Sequence, residues 1–176
     1  MGKTKLPMNC PMTAGGGCSL KSRVIKERLS QKPFAFLMLP YASHFNVVER
    51  VFKTVVEGGQ FCADRYRKKM FKRKPVSAIS ARMERFAGQG YCQICQSCWF
   101  SDFGIAELAS VNPNVVLEVG LMWGFGKDVV FTLDISRTGI KKIPFNLRNY
   151  MYATYNDVER LGRNLEANIQ FLLKTL

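Results

Sequence analysis

Short apolar runs, each ended by a turn residue and followed by an amphipathic stretch, limit most strongly how this chain can fold. Residues 34–39 are uninterruptedly apolar and Pro40 ends them, which is typical of a strand buried on both faces. A helical pattern over 45–57 follows, and Gly58 and Gly59 end it. Further strands are predicted over 60–63, 103–108, 129–133 and 149–154, with a loosely helical stretch over 76–99 and helices over 113–125 and 157–173. Strands that alternate with helices predict an α/β fold with a parallel sheet.

The domain organisation follows from length and texture. A chain of 176 residues has the usual size of one domain. Residues 1–33 contain Pro7, Pro11, a run of three glycines at 15–17 and scattered lysines, and we expect them to form a loosely ordered basic arm. A single α/β domain is expected over 34–176.

The charge balance favours anionic partners. Lys and Arg number 26 against 13 for Asp and Glu, a formal net charge of +13. Much of the excess lies in one run from Arg65 to Lys74, which also contains Tyr66 and Phe71. Two interpretations stay open, namely a solvated surface and a contact site for nucleic acid or phosphate in which the aromatic rings stack on bases.

Membrane and export signals are not found in the sequence. No segment approaches the ~20 consecutive apolar residues that cross a bilayer. No apolar core follows Lys3 and Lys5, as a secretory signal would require. We therefore expect a cytoplasmic protein without a membrane partner.

Candidate site residues are chosen by their place at the carboxyl ends of the predicted strands, where open parallel sheets bind ligands. Glu118 falls about one turn into the predicted helix over 113–125, where the helix dipole is expected to keep its carboxylate ionised. The simpler alternative is a glutamate that merely caps or solvates that helix. Asp102 lies at the amino end of its strand and is expected to be structural. The other candidates at the carboxyl ends are Pro40, Tyr41, Asp64, Ser110, Asn112, Asn114 and Asp134.

The stretch over 101–127 resembles a known family signature. Its features are Ser101-Asp102, an apolar strand, Asn112-Pro-Asn-Val115, and a Glu118-x-Gly120 helix that ends in Gly126-Lys127. This signature is similar to that of the TIR-like nucleotide-binding domains of prokaryotes, which are related to nucleoside 2-deoxyribosyltransferases. The resemblance covers roughly residues 34–173.

The resemblance implies a flavodoxin-like three-layer sandwich with a mainly parallel sheet of about five strands, and a homo-oligomer. It implies a nucleoside, nucleotide or NAD-like ligand and, in an enzyme, cleavage or transfer of an N-glycosidic bond. Glu118 would act at the ribose, because a carboxylate favours an oxocarbenium-like transition state. Asn112 and Asn114 would shape the sugar pocket, and Pro40 and Tyr41 would border the base or phosphate. No cofactor is required, and NAD would enter as a substrate. A non-catalytic module for a nucleotide signal or nucleic acid is the alternative, and an adaptor that self-associates is a third.

Two departures from the family pattern bear on the predicted pocket. Glu107 stands where the family often has the shorter Asp, and it is expected to alter or block part of the pocket. Met122, Trp123 and Phe125 are bulkier than the usual small or polar helix face.

Three cysteines recur at intervals of three, at Cys92, Cys95 and Cys98. Thiolates at this spacing can bind zinc or an iron–sulfur cluster, with Cys10 or Cys18 as a fourth ligand. The simpler interpretation is one apolar helix face, and on that interpretation we expect no metal. His44 is the single histidine. We expect it to be a loop or surface residue rather than a catalytic one.

Overall fold

The computed structural model describes residues 33–57, 77–80 and 90–174. Its five strands form one parallel sheet in the order β2-β1-β3-β4-β5. The strands are β1 (Phe34–Met38), β2 (Ser77–Ser80), β3 (Phe103–Glu107), β4 (Asp128–Asp134) and β5 (Tyr152–Tyr155). The α-helices are α1 (Asn46–Val56), α2 (Gly90–Phe100), α3 (Pro113–Gly124) and α4 (Val158–Leu173), and short 3-10 turns cover Ser43–Phe45, Ile140–Lys142 and Phe145–Leu147.

Each face of the sheet carries its own helical layer, because successive residues of a strand point to opposite sides. Phe36 and Met38 of β1 pack under α2 and α3, whereas Leu37 packs under α1 and α4. We call these the α2/α3 face and the α1/α4 face. The three layers and the strand order confirm the predicted flavodoxin-like fold.

Local signals explain the bounds of α3, the helix that carries Glu118. The side chain of Asn112 accepts a hydrogen bond from the backbone N–H of Asn114, and Pro113 occupies the first turn. At the other end Gly126 adopts a φ of +67°, a left-handed conformation that glycine takes without steric cost. The prediction of a helix beginning at Pro113 and closed by Gly126 is therefore confirmed.

The stretch over 76–99, predicted to be loosely helical, is helical from Gly90 as predicted, but the prediction is wrong over residues 77–80. It contains the strand Ser77–Ser80 before the helix Gly90–Phe100. A strand of four residues with serine at both ends is too short to show an alternating pattern. The strand predicted over 60–63 lies outside the described residues. The fifth strand begins at Tyr152 rather than at 149, because Tyr150 still belongs to a turn that hydrogen-bonds back to Leu147.

The order of the strands creates a crevice at the carboxyl edge between β1 and β3. The chain leaves β1 towards α1 on one face and leaves β3 towards α3 on the other. Such a point, where neighbouring connections diverge, is where open parallel sheets bind their ligands. In the part of the chain that the structure describes, no helix is long and apolar enough to cross a membrane.

Candidate functional site

The register of the sheet brings several predicted site residues to one edge. Met38 pairs with Ala106, and Ala106 pairs with Phe131, so β1, β3 and β4 end close together. The loop after β1, with Pro40 and Tyr41, therefore lies beside the loop after β3. Pro40 is buried, whereas Tyr41 is 54% exposed. The neighbouring His44 is also exposed, and its ring lies 4.3 Å from that of Phe45.

The loop from Leu108 to Asn112, which we call the β3–α3 loop, leads from the sheet into α3. Ser110 is exposed within it. Val111 has a φ of +47°, a conformation that a β-branched residue rarely adopts and that marks backbone strain. The Oδ1 atom of Asn112 accepts a hydrogen bond from the backbone N–H of Asn114, with 2.9 Å between the oxygen and the nitrogen. The cap therefore already uses the carboxamide oxygen of Asn112, whereas the side chain of Asn114 is exposed.

Glu118 lies in the middle of α3 with only 3% of its surface exposed. Burial raises the pKa of this carboxyl from 4.5 to about 8, so the expectation that it stays ionised is wrong. The helix dipole acts within the first turn, whereas loss of solvation acts on the whole charged group and is much larger here. No described residue donates a hydrogen bond to the carboxyl group, and none is among the causes of the shift.

The neighbour of Glu118 on α2 is Cys98. Its Sγ lies 3.9 Å from the carbonyl oxygen of Glu118, and burial, followed by the nearby Glu118 and Cys95, raises the pKa of the thiol. Cys98 is therefore a neutral thiol that offers Glu118 no compensating charge. It belongs to the core on the α2/α3 face, as the simpler interpretation of the cysteines predicted.

The direction of Glu118 follows from helix geometry. Side chains tilt towards the amino end of their helix, and the amino end of α3 lies at the carboxyl edge because α3 follows β3 directly. Asn114 stands four residues earlier and shares the same helix face. The Glu118 carboxyl thus points towards the edge where Ser110 and Asn114 are exposed.

Of the bulky residues of α3, Trp123 lies on a different helix face from Glu118, whereas Met122, four residues after Glu118, shares its face. Trp123 stands five residues further on, about 140° around the helix. Its ring stacks on Tyr150 at 5.0 Å and meets Phe131 edge-on at 6.0 Å. Met122 is part of the core, and Phe125 packs edge-on against Trp99 of α2.

Glu107 lies on the opposite face of the sheet from Glu118, and the expectation that its length alters or blocks part of the pocket stays a prediction. In β3 the side chains of Phe103, Ile105 and Glu107 share the α1/α4 face, whereas Glu118 lies under the α2/α3 layer. Glu107 is fully buried, and its carboxyl accepts hydrogen bonds from the hydroxyls of Thr132 and Tyr155 and from the N–H of Ala109. Burial raises the pKa of Glu107, and these hydrogen bonds oppose the rise.

Asp134 and Asp102 have structural contacts at opposite edges of the sheet. Asp134 Oδ1 accepts hydrogen bonds from the N–H and hydroxyl of Ser136, and its Oδ2 lies 3.1 Å from Nε of Arg137. Asp134 therefore shapes its own turn with both oxygens. Asp102 Oδ2 accepts the N–H of Phe34 at 2.8 Å and joins the amino ends of β1 and β3.

Several predicted residues are not among those that the structure describes. Asp64, the run from Arg65 to Lys74, and the side chain of Cys92 lie outside the described part of the chain. Over the residues that are described, no group of three or more His, Cys, Asp or Glu side chains is placed to hold a metal ion. Cys95 is partly buried and Cys98 buried, both as free thiols.

The network of Glu107, Thr132 and Tyr155 was not predicted as a unit. A polar residue in each of three apolar strands was the available signal, since Thr132 interrupts an apolar run and Tyr155 ends the last strand. Spacing alone did not show that the three residues share a face, because the fifth strand was placed too early in the chain.

Comparisons with known proteins leave the family resemblance a prediction. No protein-family model matches the chain, and no curated protein matches it in sequence. Among solved structures, the chain is similar to the CMP N-glycosidase BcmB of Clostridium botulinum, at 16% identity and a TM-score of 0.48. The likeness covers 76% of this chain and 98% of that one.

Proposed function

We propose that the chain binds a nucleoside, nucleotide or NAD-like molecule and cleaves or transfers its N-glycosidic bond, with Glu118 directed at the ribose. The observation that carries this proposal is a buried carboxyl to which no described residue donates a hydrogen bond, on a helix whose amino end lies at the carboxyl edge of a parallel sheet. An ionisable group held in this way lowers stability when it is charged, and such groups concentrate at functional sites. The resemblance of the motif around Glu118 supplies the reaction class.

The chemistry suits a carboxyl that no positive charge of the described residues compensates. With a pKa of about 8, roughly one tenth of the groups are ionised at pH 7 in the empty protein. Breaking an N-glycosidic bond builds positive charge on the sugar. That charge lowers the pKa of Glu118 and attracts its carboxylate, so the interaction is stronger in the transition state than in the ground state.

The decisive experiment measures base release. Purified protein is incubated with NAD and with a panel of nucleosides and nucleotides that includes CMP, and the free base is quantified by chromatography. Glu118→Gln keeps the shape and removes the charge, and is expected to reduce turnover by about 100-fold or more. Glu49→Gln is the matched control, because Glu49 is a buried carboxyl on α1 that pairs with Lys53 at 3.0 Å on the other face of the sheet. Equal turnover in the wild type and in Glu118→Gln would disprove the assigned role.

A non-catalytic binding module is the second candidate, favoured by the net charge of +13. A ligand that binds without turnover supports it. For nucleic acid, affinity should fall steeply with salt. That affinity should also fall when Arg67, Lys68, Lys69, Lys72 and Arg73 are neutralised together.

A further inference from the structure

We propose that Glu107 is a positioning residue that holds the β3–α3 loop, and through it α3 and Glu118, from the opposite face of the sheet. This inference rests on the proposed role of Glu118. Glu107 itself is too deeply buried to touch a ligand, since none of its surface is exposed.

The two carboxyl oxygens of Glu107 have different partners. Oε2 accepts the hydroxyl of Thr132 at 2.6 Å and that of Tyr155 at 2.8 Å, which ties β3 to β4 and β5. Oε1 accepts the N–H of Ala109 at 2.8 Å. One oxygen is therefore fixed to the rigid sheet, and the other holds the first turn of the β3–α3 loop.

The loop needs such an anchor because its backbone is strained. Val111 lies two residues beyond Ala109 with a φ of +47°, and its N–H bonds back to the carbonyl of Leu108. A residue in this region keeps its conformation only when its surroundings impose it. Asn112 follows at once and caps α3, so a shift of the loop is transmitted to the helix that carries Glu118.

Several hydrogen bonds converge on this one carboxyl. Thr132 and Tyr155 donate their hydroxyls, Ala109 donates its N–H, and the backbone of Asp134 adds a further hydrogen bond. The first three partners are buried, Thr132 fully, Tyr155 with 4% exposed and Ala109 with 4% exposed. Water is therefore a poor competitor for these bonds.

The test measures the pKa of Glu118 directly by carbon NMR titration of protein labelled at the glutamate carboxyls. The carboxyl signal of Glu118 is the one that is missing from the spectrum of Glu118→Gln. The wild type is expected to titrate near 8. In Glu107→Leu the loop loses its anchor, water reaches α3, and the pKa is expected to fall by about one unit or more towards 4.5.

Tyr155→Phe is the matched variant. It removes one hydrogen bond from Oε2 but leaves the contact between Oε1 and Ala109, so the pKa of Glu118 should stay near 8. An unchanged pKa in Glu107→Leu would show that Glu107 only cross-links strands, and would overturn the proposal. An equal fall in both variants would also overturn it, because the contact with Ala109 would then not be the anchor.

If Glu107→Leu does not fold, Glu107→Asp takes its place. The shorter acid keeps a carboxyl but cannot reach Ala109 and the two hydroxyls together, so the same fall in the Glu118 pKa is expected. Because none of these readouts requires turnover, the proposal about Glu107 can hold or fail separately from the N-glycosidic activity. If turnover is found, kcat should fall about tenfold in Glu107→Leu at temperatures where the variant is fully folded.

Discussion

Glu107 and Glu118 are both buried carboxyls near the carboxyl edge of one sheet, yet their surroundings differ in kind. Glu107 lies on the α1/α4 face, and each of its two carboxyl oxygens accepts at least one hydrogen bond. Glu118, on the α2/α3 face, has burial as the cause of its shifted pKa and no described donor to offset it. Hydrogen bonds offset the free-energy cost of burying a carboxyl, whereas a buried carboxyl without them lowers stability when it is ionised, and such groups concentrate at functional sites.

The largest expected effect is on the pH dependence of stability. The pKa of Glu118 is raised when the protein is folded, so the folded state holds the proton more tightly than the unfolded state. The contribution of Glu118 to the free energy of unfolding is therefore fully present below about pH 4.5 and is lost as the pH rises through about 8, a change on the order of 5 kcal/mol. Urea denaturation of the wild type and Glu118→Gln across this range isolates the effect, since the variant should be the more stable protein at pH 8. If the wild type is as stable as the variant at pH 8, ionised Glu118 does not lower the stability of the fold, and the proposed difference between Glu107 and Glu118 is wrong.

The next prediction concerns Glu107, the glutamate whose carboxyl is hydrogen-bonded. Glu107→Leu removes the acceptor of the Tyr155 hydroxyl and of the Ala109 N–H and leaves Thr132 with its longer hydrogen bond to the Ala106 carbonyl, and is expected to lower the free energy of unfolding by about 3 kcal/mol or more. Glu107→Gln keeps an acceptor for Ala109 and should cost about 1 kcal/mol. Chemical denaturation at pH 7 measures both. A small loss in Glu107→Leu would mean that the hydrogen bonds around this carboxyl contribute little.

The third effect concerns activity and rests on the proposed function. If the carboxylate of Glu118 is the working form, kcat/KM should rise roughly 50-fold from pH 6 to pH 8 and then level off, because the ionised fraction grows through a pKa of about 8. The profile is measured on a substrate found in the base-release experiment. A rate that falls through pH 8 would instead make the protonated form the working one.

The smallest effect separates the two roles of Asn112. Asn112→Ala removes the cap of α3 and should cost about 1 kcal/mol, whereas Asn112→Ser keeps a capping oxygen and should cost little. Thermal denaturation compares the two variants. If Asn112→Ser is stable but binds ligand more weakly, the carboxamide also contacts the sugar, as the family resemblance implies.

The regular parts of the fold were predictable because their signals are local. Apolar runs located β1, β3 and β4, and Asn112, Pro113 and Gly126 set the ends of α3. The strand Ser77–Ser80 was missed because it is short and polar at its ends.

The site was predictable in position but not in electrostatics. Strand-end placement selected Glu118, yet its burial depends on α2, a helix from another part of the chain whose Cys98 lies against it. The face of Glu107 could have been read from the alternation in β3, since Phe103 and Ile105 point the same way. Its partners could not, because Thr132 and Tyr155 reach it only through tertiary pairing of the strands.

The left-handed backbone of Val111 has a consequence for how strongly a ligand can bind. A strained residue of this kind stores on the order of 1–3 kcal/mol, which corresponds to roughly a five- to 150-fold change in a binding constant. A ligand that lets the loop relax gains part of that free energy, whereas a ligand that requires the present loop gains none. Asparagine adopts the same φ at lower cost. Comparing the ligand affinity of Val111→Asn with that of the wild type therefore shows whether the ligand lets the loop relax or requires its present conformation.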